Sequence, residues 1–196
     1  MFLEIKNTTI GYQKPLISEV NASLDFGDVC LLIGNNGVGK TTLIKCILGL
    51  NVVESGDILV NGNSVKNDFL YREKIGYMPQ IGKYPENMTI GQTIKMIQDN
   101  RKNVENIDTE LLEAFELTKL YEKKMSTLSG GTTQKVSAVL AFMFHPEIII
   151  LDEPTANMDN RSESIVKREL ANLPADTTML LITHRTSMLD IVNRII

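Results

Sequence analysis

The chain has 196 residues, the length of one domain, of which 43% are hydrophobic and 22% charged. This composition is typical of a folded globular protein rather than of a disordered or fibrous chain. The net charge of −4 provides no broad basic surface, which argues against a nucleic-acid-binding protein. The longest apolar runs fall far short of the ~20 residues that span a bilayer, and the N-terminus lacks the features of a signal peptide. Cys30 and Cys46 lie in apolar segments, and we expect both to be buried free thiols.

The first half of the chain is predicted to consist mainly of short strands. In chain order the pattern predicts strands at 2–10, 20–26 and 28–33, a helix at 40–50, and strands at 57–60 and 74–78. The first two strands alternate polar with apolar residues and flank a turn at 11–15, so we expect them to pair antiparallel. The third is apolar and leads directly into a glycine-rich loop.

The second half is predicted to alternate helices with buried strands. A helical pattern over 89–120 is broken by a polar stretch at 99–108, and is followed by helices at 132–144, 162–173 and 186–192 and by strands at 148–151 and 179–183. Alternation of this kind produces a largely parallel sheet with helices on both faces. The predicted fold class is therefore α/β, with a small antiparallel β piece at the start and a helical insertion in the middle.

The glycine-rich loop after the third strand matches the phosphate-binding pattern G-x-x-x-x-G-K-[ST] in full. Glycines let the backbone curl so that its N–H groups point inward, and the following helix adds the positive end of its dipole. Lys40 supplies charge to the outer phosphates, and the Thr41 hydroxyl is placed to bind Mg²⁺. The residues expected to contact the nucleotide are Gly34, Asn35, Asn36, Gly37, Val38, Gly39, Lys40, Thr41 and Thr42. The strand before this loop and the helix after it disfavour a turn that binds nothing.

Two acids, Asp152 and Glu153, follow the apolar strand predicted at 148–151. The carboxyl end of such a strand is where open α/β sheets bind ligands. Asp152 suits the coordination shell of Mg²⁺, and Glu153 suits the polarisation of an attacking water. A strand that ends in Asp-Glu is often only a solvated strand end, but together with the loop it predicts a P-loop nucleotide hydrolase.

A third motif, Leu-Ser-Gly-Gly-Thr-Thr-Gln-Lys at 128–135, opens a predicted helix shortly before that strand. Ser129, Gly130 and Gly131 expose the helix N-terminus, which makes a second anion site on the same chain. In this order and spacing the three motifs resemble the ATP-binding cassette (ABC) family, whose signature is of the L-S-G-G-Q type. Thr132 stands where glutamine is commonest in that family.

The resemblance implies roles for four further residues. Gln80 stands where the family has the glutamine that senses Mg²⁺, the water and the transporter, and His184 looks like the switch histidine that contacts the γ-phosphate. Residues 156–159 occupy the D-loop position, where Asp159 would help to build the facing site, although Met158 replaces the usual leucine there. Tyr12 matches the aromatic residue that stacks on adenine, with turn packing as its open alternative.

The resemblance also implies the organisation of the chain as one ABC ATPase domain with a RecA-like P-loop NTPase core. Its expected parts are a β subdomain at about 1–26 and 54–62, a catalytic core at 27–53, 63–83 and 136–196, and a helical signature subdomain at 84–135. The residues expected to act on ATP are Lys40, Gln80, Glu153 and His184, and the expected Mg²⁺ ligands are Thr41, Gln80 and Asp152.

A head-to-tail pair is the assembly that the resemblance implies. Two copies, or one copy and a paralogous cassette, would hold ATP between the loop at 34–41 of one and Ser129–Gly131 of the other. We expect the partner to be an integral membrane permease, which would keep this cytosolic protein at the inner face of the cell membrane. No nucleic-acid partner is expected. Met1 leads directly into the first strand, which favours a natural start, whereas the end at Ile196 inside a predicted strand is consistent with a shortened C-terminus.

Two other functions compete with that of a transporter ATPase. Soluble ABC proteins that act in translation or on DNA usually carry paired cassettes, large insertions or basic segments, and this sequence has none of these. A P-loop GTPase would need a guanine-reading N-K-x-D stretch, which is also missing from the sequence. The transported substrate and the direction of transport stay open, because a permease would carry that specificity.

Overall fold

The computed structural model describes residues 2–12, 14–66, 68–101 and 106–196, without the side chains of Tyr12 and Lys14. The chain divides into two compact units, Met1–Lys74 with Ala175–Ile196, and Ile75–Pro174. The three-part subdivision expected from the sequence stays a prediction. Along the described parts of the chain, every helix is too short or too polar to cross a membrane.

Strands and helices alternate through most of the chain. In chain order they are β1 (Leu3–Tyr12), β2 (Lys14–Leu24), β3 (Val29–Leu31), α1 (Lys40–Ile47), β4 (Ser55–Val60), β5 (Asn63–Ser64), β6 (Ile75–Met78), α2 (Ile90–Asn100), α3 (Glu110–Ala114), α4 (Gly130–Phe142), β7 (Ile148–Asp152), α5 (Asn160–Ala171), β8 (Thr178–Ile182) and β9 (Arg194–Ile195). Short 3-10 helices lie at Leu70–Lys74, Leu117–Leu120, Met125–Thr127 and Thr186–Ile191. The mixture confirms the α/β fold class.

The first unit combines an antiparallel sheet with parallel strands. The antiparallel sheet has the order β2-β1-β4-β5, and β3 pairs in parallel with β8 and β9. β2 begins at Lys14 rather than near residue 20, and the β1–β2 pairing extends to Tyr12 and Lys14. The predicted turn at 11–15 was therefore too long. Pro15 fits within β2 because that strand forms an edge of the sheet, where a missing N–H costs no ladder bond.

The two cysteines are buried and free, as the sequence predicted. Cys30 lies in β3, and burial raises the pKa of its thiol to about 11. Cys46 lies on α1 among the buried residues of that helix, and burial raises its thiol pKa as well. Both side chains therefore act as small apolar core groups rather than as thiolates.

The second unit is built around the parallel pair of β6 and β7. A Cβ built at Gly76 in β6 would lie 2.0 Å from the Ala141 carbonyl oxygen, so α4 packs directly on this strand. Helix α2 starts with a capping box in which Thr89 and Gln92 satisfy each other's backbone N–H groups. The polar break predicted at 99–108 separates α2 from α3, although residues 102–105 within it lie outside the described residues.

Candidate nucleotide-binding site

The predicted phosphate loop connects β3 to α1 in the first unit. Gly37 and Gly39 have φ angles of 81° and 110°, in the left-handed region that favours glycine. A Cβ built at Gly39 would lie 2.7 Å from Ile17 Cδ1, so this position admits no side chain. Asn36 and Val38 are exposed, and α1 begins at Lys40 directly after the loop. This is the strand–loop–helix arrangement that presents backbone N–H groups to an anion.

The Lys40 side chain curls over the loop that it follows. Its Nζ donates hydrogen bonds to the carbonyl oxygens of Gly34 at 2.7 Å and Asn35 at 3.1 Å. An ammonium group held against neutral carbonyls can exchange them for phosphate oxygens, which form stronger charge-assisted hydrogen bonds. The Lys40 ammonium group therefore lies over the loop, where its predicted role requires a cation that can move onto the phosphates.

His184 follows β8 and is brought against the phosphate loop. Its Nε2 lies 3.2 Å from Asn36 Oδ1, although the two residues are 148 positions apart in the chain. The ring is exposed, and the next peptide is fixed because the Arg185 N–H donates to Thr183 Oγ1 at 3.0 Å. Two residues predicted on separate grounds, one in the loop and one at the end of a strand, thus meet within the first unit.

The two predicted acids lie at the end of β7 in the second unit. Asp152 is 2% exposed. The burial of Tyr77 and, second, the nearby charge of Asp152 raise the pKa of the Tyr77 hydroxyl to about 12. Glu153 is half-buried and has a φ of 49°, a left-handed conformation that strains any residue other than glycine. Such strain is on the order of 1–3 kcal/mol and persists only where the surrounding structure holds the backbone in place. Residues strained in this way cluster at functional sites.

The signature motif forms the exposed start of α4. Ser129 caps this helix: its Oγ accepts from the Thr132 N–H at 3.2 Å and lies 2.9 Å from Thr132 Oγ1. A Cβ built at Gly131 would lie 2.8 Å from the Asn157 carbonyl oxygen. The signature and the D-loop of the same chain are therefore in close contact.

Asp159 caps α5 in the structure. Its Oδ1 accepts from the Ser162 N–H at 2.9 Å, and its Oδ2 lies 3.5 Å from Lys135 Nζ. The backbone hydrogen bond from Ser162 is the main cause that lowers the pKa of Asp159 to about 2. The side chain is therefore an anion that caps α5 and faces Lys135 on α4, and its predicted contribution to a facing site stays a prediction.

The structure describes the side chains of Gln80 and Gln134 but not that of Tyr12. Gln80 is exposed in the loop after β6, as an accessible sensor residue must be. The side chain of Tyr12 lies outside the described residues, so adenine stacking there stays a prediction. Gln134, for which no role was predicted, is a buried side chain that donates to two loops of the second unit. Its place within the signature motif was the only signal that could have found it.

The predicted Mg²⁺ ligands fit the chemistry of that ion. Thr41 offers a hydroxyl oxygen, Asp152 a carboxylate and Gln80 an amide oxygen, all hard donors. Among the described residues, no group of three or more His, Cys, Asp or Glu side chains could hold a metal by itself. Mg²⁺ commonly relies on one or two protein ligands together with phosphates and waters.

Sequence comparison places these features in a known family. The family model for the ABC transporter matches residues 17–156. A sulfate/thiosulfate import ATP-binding protein of Pectobacterium atrosepticum is 28% identical over 100% of this chain and 63% of its own length. A molybdate/tungstate import ATP-binding protein of Methanocaldococcus jannaschii is 30% identical over 93% of this chain and 62% of its own. Across four of the curated relatives that it matches, the chain spans between 34% and 63% of the relative's own length.

Solved structures agree with the family match. An ATP-binding subunit of an ABC transporter superposes with a TM-score of 0.88 and 28% identity, over 97% of this chain and 82% of its own. A dimeric bacterial ABC transporter cassette superposes with a TM-score of 0.85 over 99% of this chain and 93% of its own, and at 23% identity it supports the fold alone. The resemblance inferred from the motifs is thereby confirmed, together with the P-loop fold.

Proposed function

Because the chain belongs to the ABC transporter family and is one of its ATPase domains, we propose that it works as a head-to-tail pair around two MgATP and powers a separate membrane permease. The observation that carries the nucleotide site of this proposal is the contact between His184 and Asn36 at 3.2 Å. It supports a γ-phosphate site because it brings an imidazole ring to a loop that is shaped for phosphate.

The residues of this chain have separate tasks in the proposed reaction. Lys40 exchanges its carbonyl partners for the outer phosphates, and His184 contacts the γ-phosphate. Glu153 accepts a proton from the attacking water, for which it needs an ionised carboxylate close to that water. Thr41, Asp152 and Gln80 would hold Mg²⁺, which neutralises phosphate charge when it is bound.

The signature end of α4 is proposed to complete the site of a second chain. Ser129 and Gly130 are exposed, so a facing nucleotide can approach them. The positive end of the helix dipole and the Ser129 hydroxyl suit the γ-phosphate. The second chain is a copy of this one or a paralogous cassette, and Asp159 caps α5 at the end of the adjacent D-loop.

The proposed partner is a membrane permease on another polypeptide. Two relatives bear names of import ATP-binding proteins, and we infer from these names that a separate chain forms the permease here. Gln80 and its neighbour Ile81, which is 68% exposed, lie in the loop after β6 and offer a contact for that partner. The protein would then lie in the cytoplasm at the inner face of the membrane.

Adenine is proposed to stack on Tyr12. Stacking uses the π-face of the ring and not its hydroxyl, so Tyr12→Phe should keep the ATP affinity and Tyr12→Ala should lower it several-fold, an effect of about 1–1.5 kcal/mol. Titration calorimetry measures both. Unchanged affinity in Tyr12→Ala would identify Tyr12 as a turn residue.

Glu153→Gln tests the proposed mechanism. The substitution keeps the shape of the side chain and removes its basic oxygen, so ATP binds without being consumed. Bound ATP should then hold two chains together, and the protein should be a monomer without nucleotide and a dimer in millimolar MgATP. Size-exclusion chromatography with light scattering measures the mass, and a phosphate-release assay measures turnover.

Two variants of Ser129 in the Glu153→Gln background serve as controls. Ser129→Arg fills the facing phosphate site with bulk, and Ser129→Asp keeps a good helix cap while placing a negative charge against the γ-phosphate. Both should abolish the dimer, and Ser129→Asp should do so without loss of fold. A Glu153→Gln protein that stays monomeric, or that hydrolyses ATP at the wild-type rate, contradicts the proposal.

A further inference from the structure

Gln134 connects two loops of the second unit through one buried side chain. It lies on α4 and is 1% exposed. Its Nε2 donates to the carbonyl oxygens of Pro79 at 3.3 Å and of Pro154 at 3.2 Å. Pro79 directly precedes Gln80, and Pro154 directly follows Glu153. One amide group therefore fixes the backbone next to two residues that are assigned to the reaction.

The far end of the Gln80 loop is attached to the same helix. The Tyr84 hydroxyl donates to Ser137 Oγ at 2.9 Å. A Cβ built at Gly82 would lie 2.4 Å from that same Ser137 Oγ, so the loop passes close to α4. Residues 79–84 are thus held at both ends on α4, and Gln80 is exposed between the two attachments.

We propose that Gln134 is a positioning residue for ATP hydrolysis, which keeps Gln80 and Glu153 in fixed register with the signature helix. The inference rests on the proposed function, because the roles of Gln80 and Glu153 are assigned there. The φ of 49° at Glu153 is a conformation that neighbouring contacts must maintain, and the bond to the Pro154 carbonyl restrains the next peptide. Misplacement of a catalytic group by about 1 Å can lower a rate by about 100-fold.

Gln134→Met removes both donated hydrogen bonds and keeps the length of the side chain. We expect kcat for ATP to fall about tenfold or more while KM changes less than about threefold, because positioning is lost and the phosphate loop is intact. Gln98→Met makes the same substitution at a half-buried glutamine on α2 and should keep the wild-type kcat. A Gln134→Met protein with wild-type kcat overturns the proposal.

Gln134→Glu adds a second measurement, the pH dependence of kcat, which would not change if Gln134 were only a structural residue. An ionised carboxylate would be repelled by the two carbonyl oxygens, whereas the protonated acid can donate to one of them. Burial favours that neutral form, so kcat relative to wild type should recover about threefold or more between about pH 8 and about pH 6. Glu153, Tyr84 and Lys135 lie on the same segments and are present in both proteins, so wild type at each pH is the reference for the ratio. Gln134→Met should show no recovery.

Amide hydrogen exchange separates this inference from the proposed function. In nucleotide-free protein, the amides of residues 80–84 should exchange faster in Gln134→Met than in Gln98→Met, whether or not the chain hydrolyses ATP. An inactive wild-type protein with this exchange difference would contradict the proposed function alone. Equal exchange in the two variants overturns the positioning role. If Gln134→Met fails to fold, the pH ratio of Gln134→Glu decides, and a flat ratio overturns the proposal.

Discussion

The helices α1 and α4 both begin beside glycines, but their first turns are satisfied in different ways. Within the described residues, α1 has no side-chain cap, since it follows Gly39 in a left-handed conformation. Helix α4 follows Ser129, whose hydroxyl already accepts from the Thr132 N–H. The first turn of α1 thus keeps its N–H groups open to an external anion, whereas the first turn of α4 is capped by its own chain. On the proposed function, we expect α1 to provide most of the nucleotide affinity and α4 to respond to a nucleotide bound by another chain.

Lys40→Ala should have the largest effect on the α1 end. It removes the cation that the Gly34 and Asn35 carbonyls hold over the loop, and we expect ATP affinity and turnover together to fall roughly 100-fold or more. Titration calorimetry separates the loss of binding from the loss of turnover. Lys45→Ala, at an exposed lysine on the same helix, should leave both unchanged. Near-normal ATPase activity in Lys40→Ala would disprove the assignment of the phosphate loop.

His184→Ala should cut hydrolysis roughly 10- to 100-fold and leave ATP binding largely intact, because the ring is proposed to act at the γ-phosphate and not on the rest of the nucleotide. Single-turnover hydrolysis and calorimetry on one preparation measure the two effects. His145→Ala, at the chain's other histidine, is the control and should retain activity. Equal losses of folding, seen by circular dichroism, and of binding would mark His184 as a structural residue at the end of β8.

The sequence predicted the fold best where local chemistry decides the structure. The strand before the phosphate loop, the helix from Lys40 and the buried strand β7 follow from periodicity and glycine placement, and the structure contains all three. Their ends were less predictable. Helix α4 starts at Gly130 rather than at Thr132, because the cap is made by Ser129 and a cap depends on side-chain geometry.

Contacts between distant segments limit what the sequence can predict about the site. The resemblance assigned His184 a role, but its meeting with Asn36 depends on how β8 lies beside β3. The two acceptors of the Gln134 amide were unpredictable for the same reason, since they lie 55 and 20 residues away along the chain. Side chains that donate to distant carbonyls leave no periodic pattern, so only a structure identifies them.

A pair of glycine variants would sharpen the description of the α4 end. Gly131→Ala places a Cβ 2.8 Å from the Asn157 carbonyl oxygen, whereas a Cβ at Gly130 meets no described atom within 4 Å beyond its chain neighbours and its own helix backbone. We expect Gly131→Ala to lower the melting temperature by about 2–4 °C, which corresponds to about 1 kcal/mol. Gly130→Ala should raise it slightly, since alanine is the better helix former by about 0.5–1 kcal/mol. Thermal unfolding without nucleotide measures both, and equal shifts would show that the D-loop does not restrain Gly131.

Ser129→Ala should have a small effect, and it separates the two roles of the hydroxyl. Loss of the cap should reduce the free energy of unfolding by about 1 kcal/mol, seen by denaturation without nucleotide. In the Glu153→Gln background the ATP-dependent dimer should weaken a further few-fold, about 0.5–1.5 kcal/mol, because the hydroxyl no longer reaches phosphate. Thr132→Val removes the hydroxyl that lies 2.9 Å from Ser129 Oγ and leaves the N–H that Ser129 caps, so it should preserve the dimer. A dimer of unchanged strength in Ser129→Ala would mean that Ser129 caps α4 without touching the nucleotide. Nothing would then favour the loss of the Ser129 cap when ATP binds.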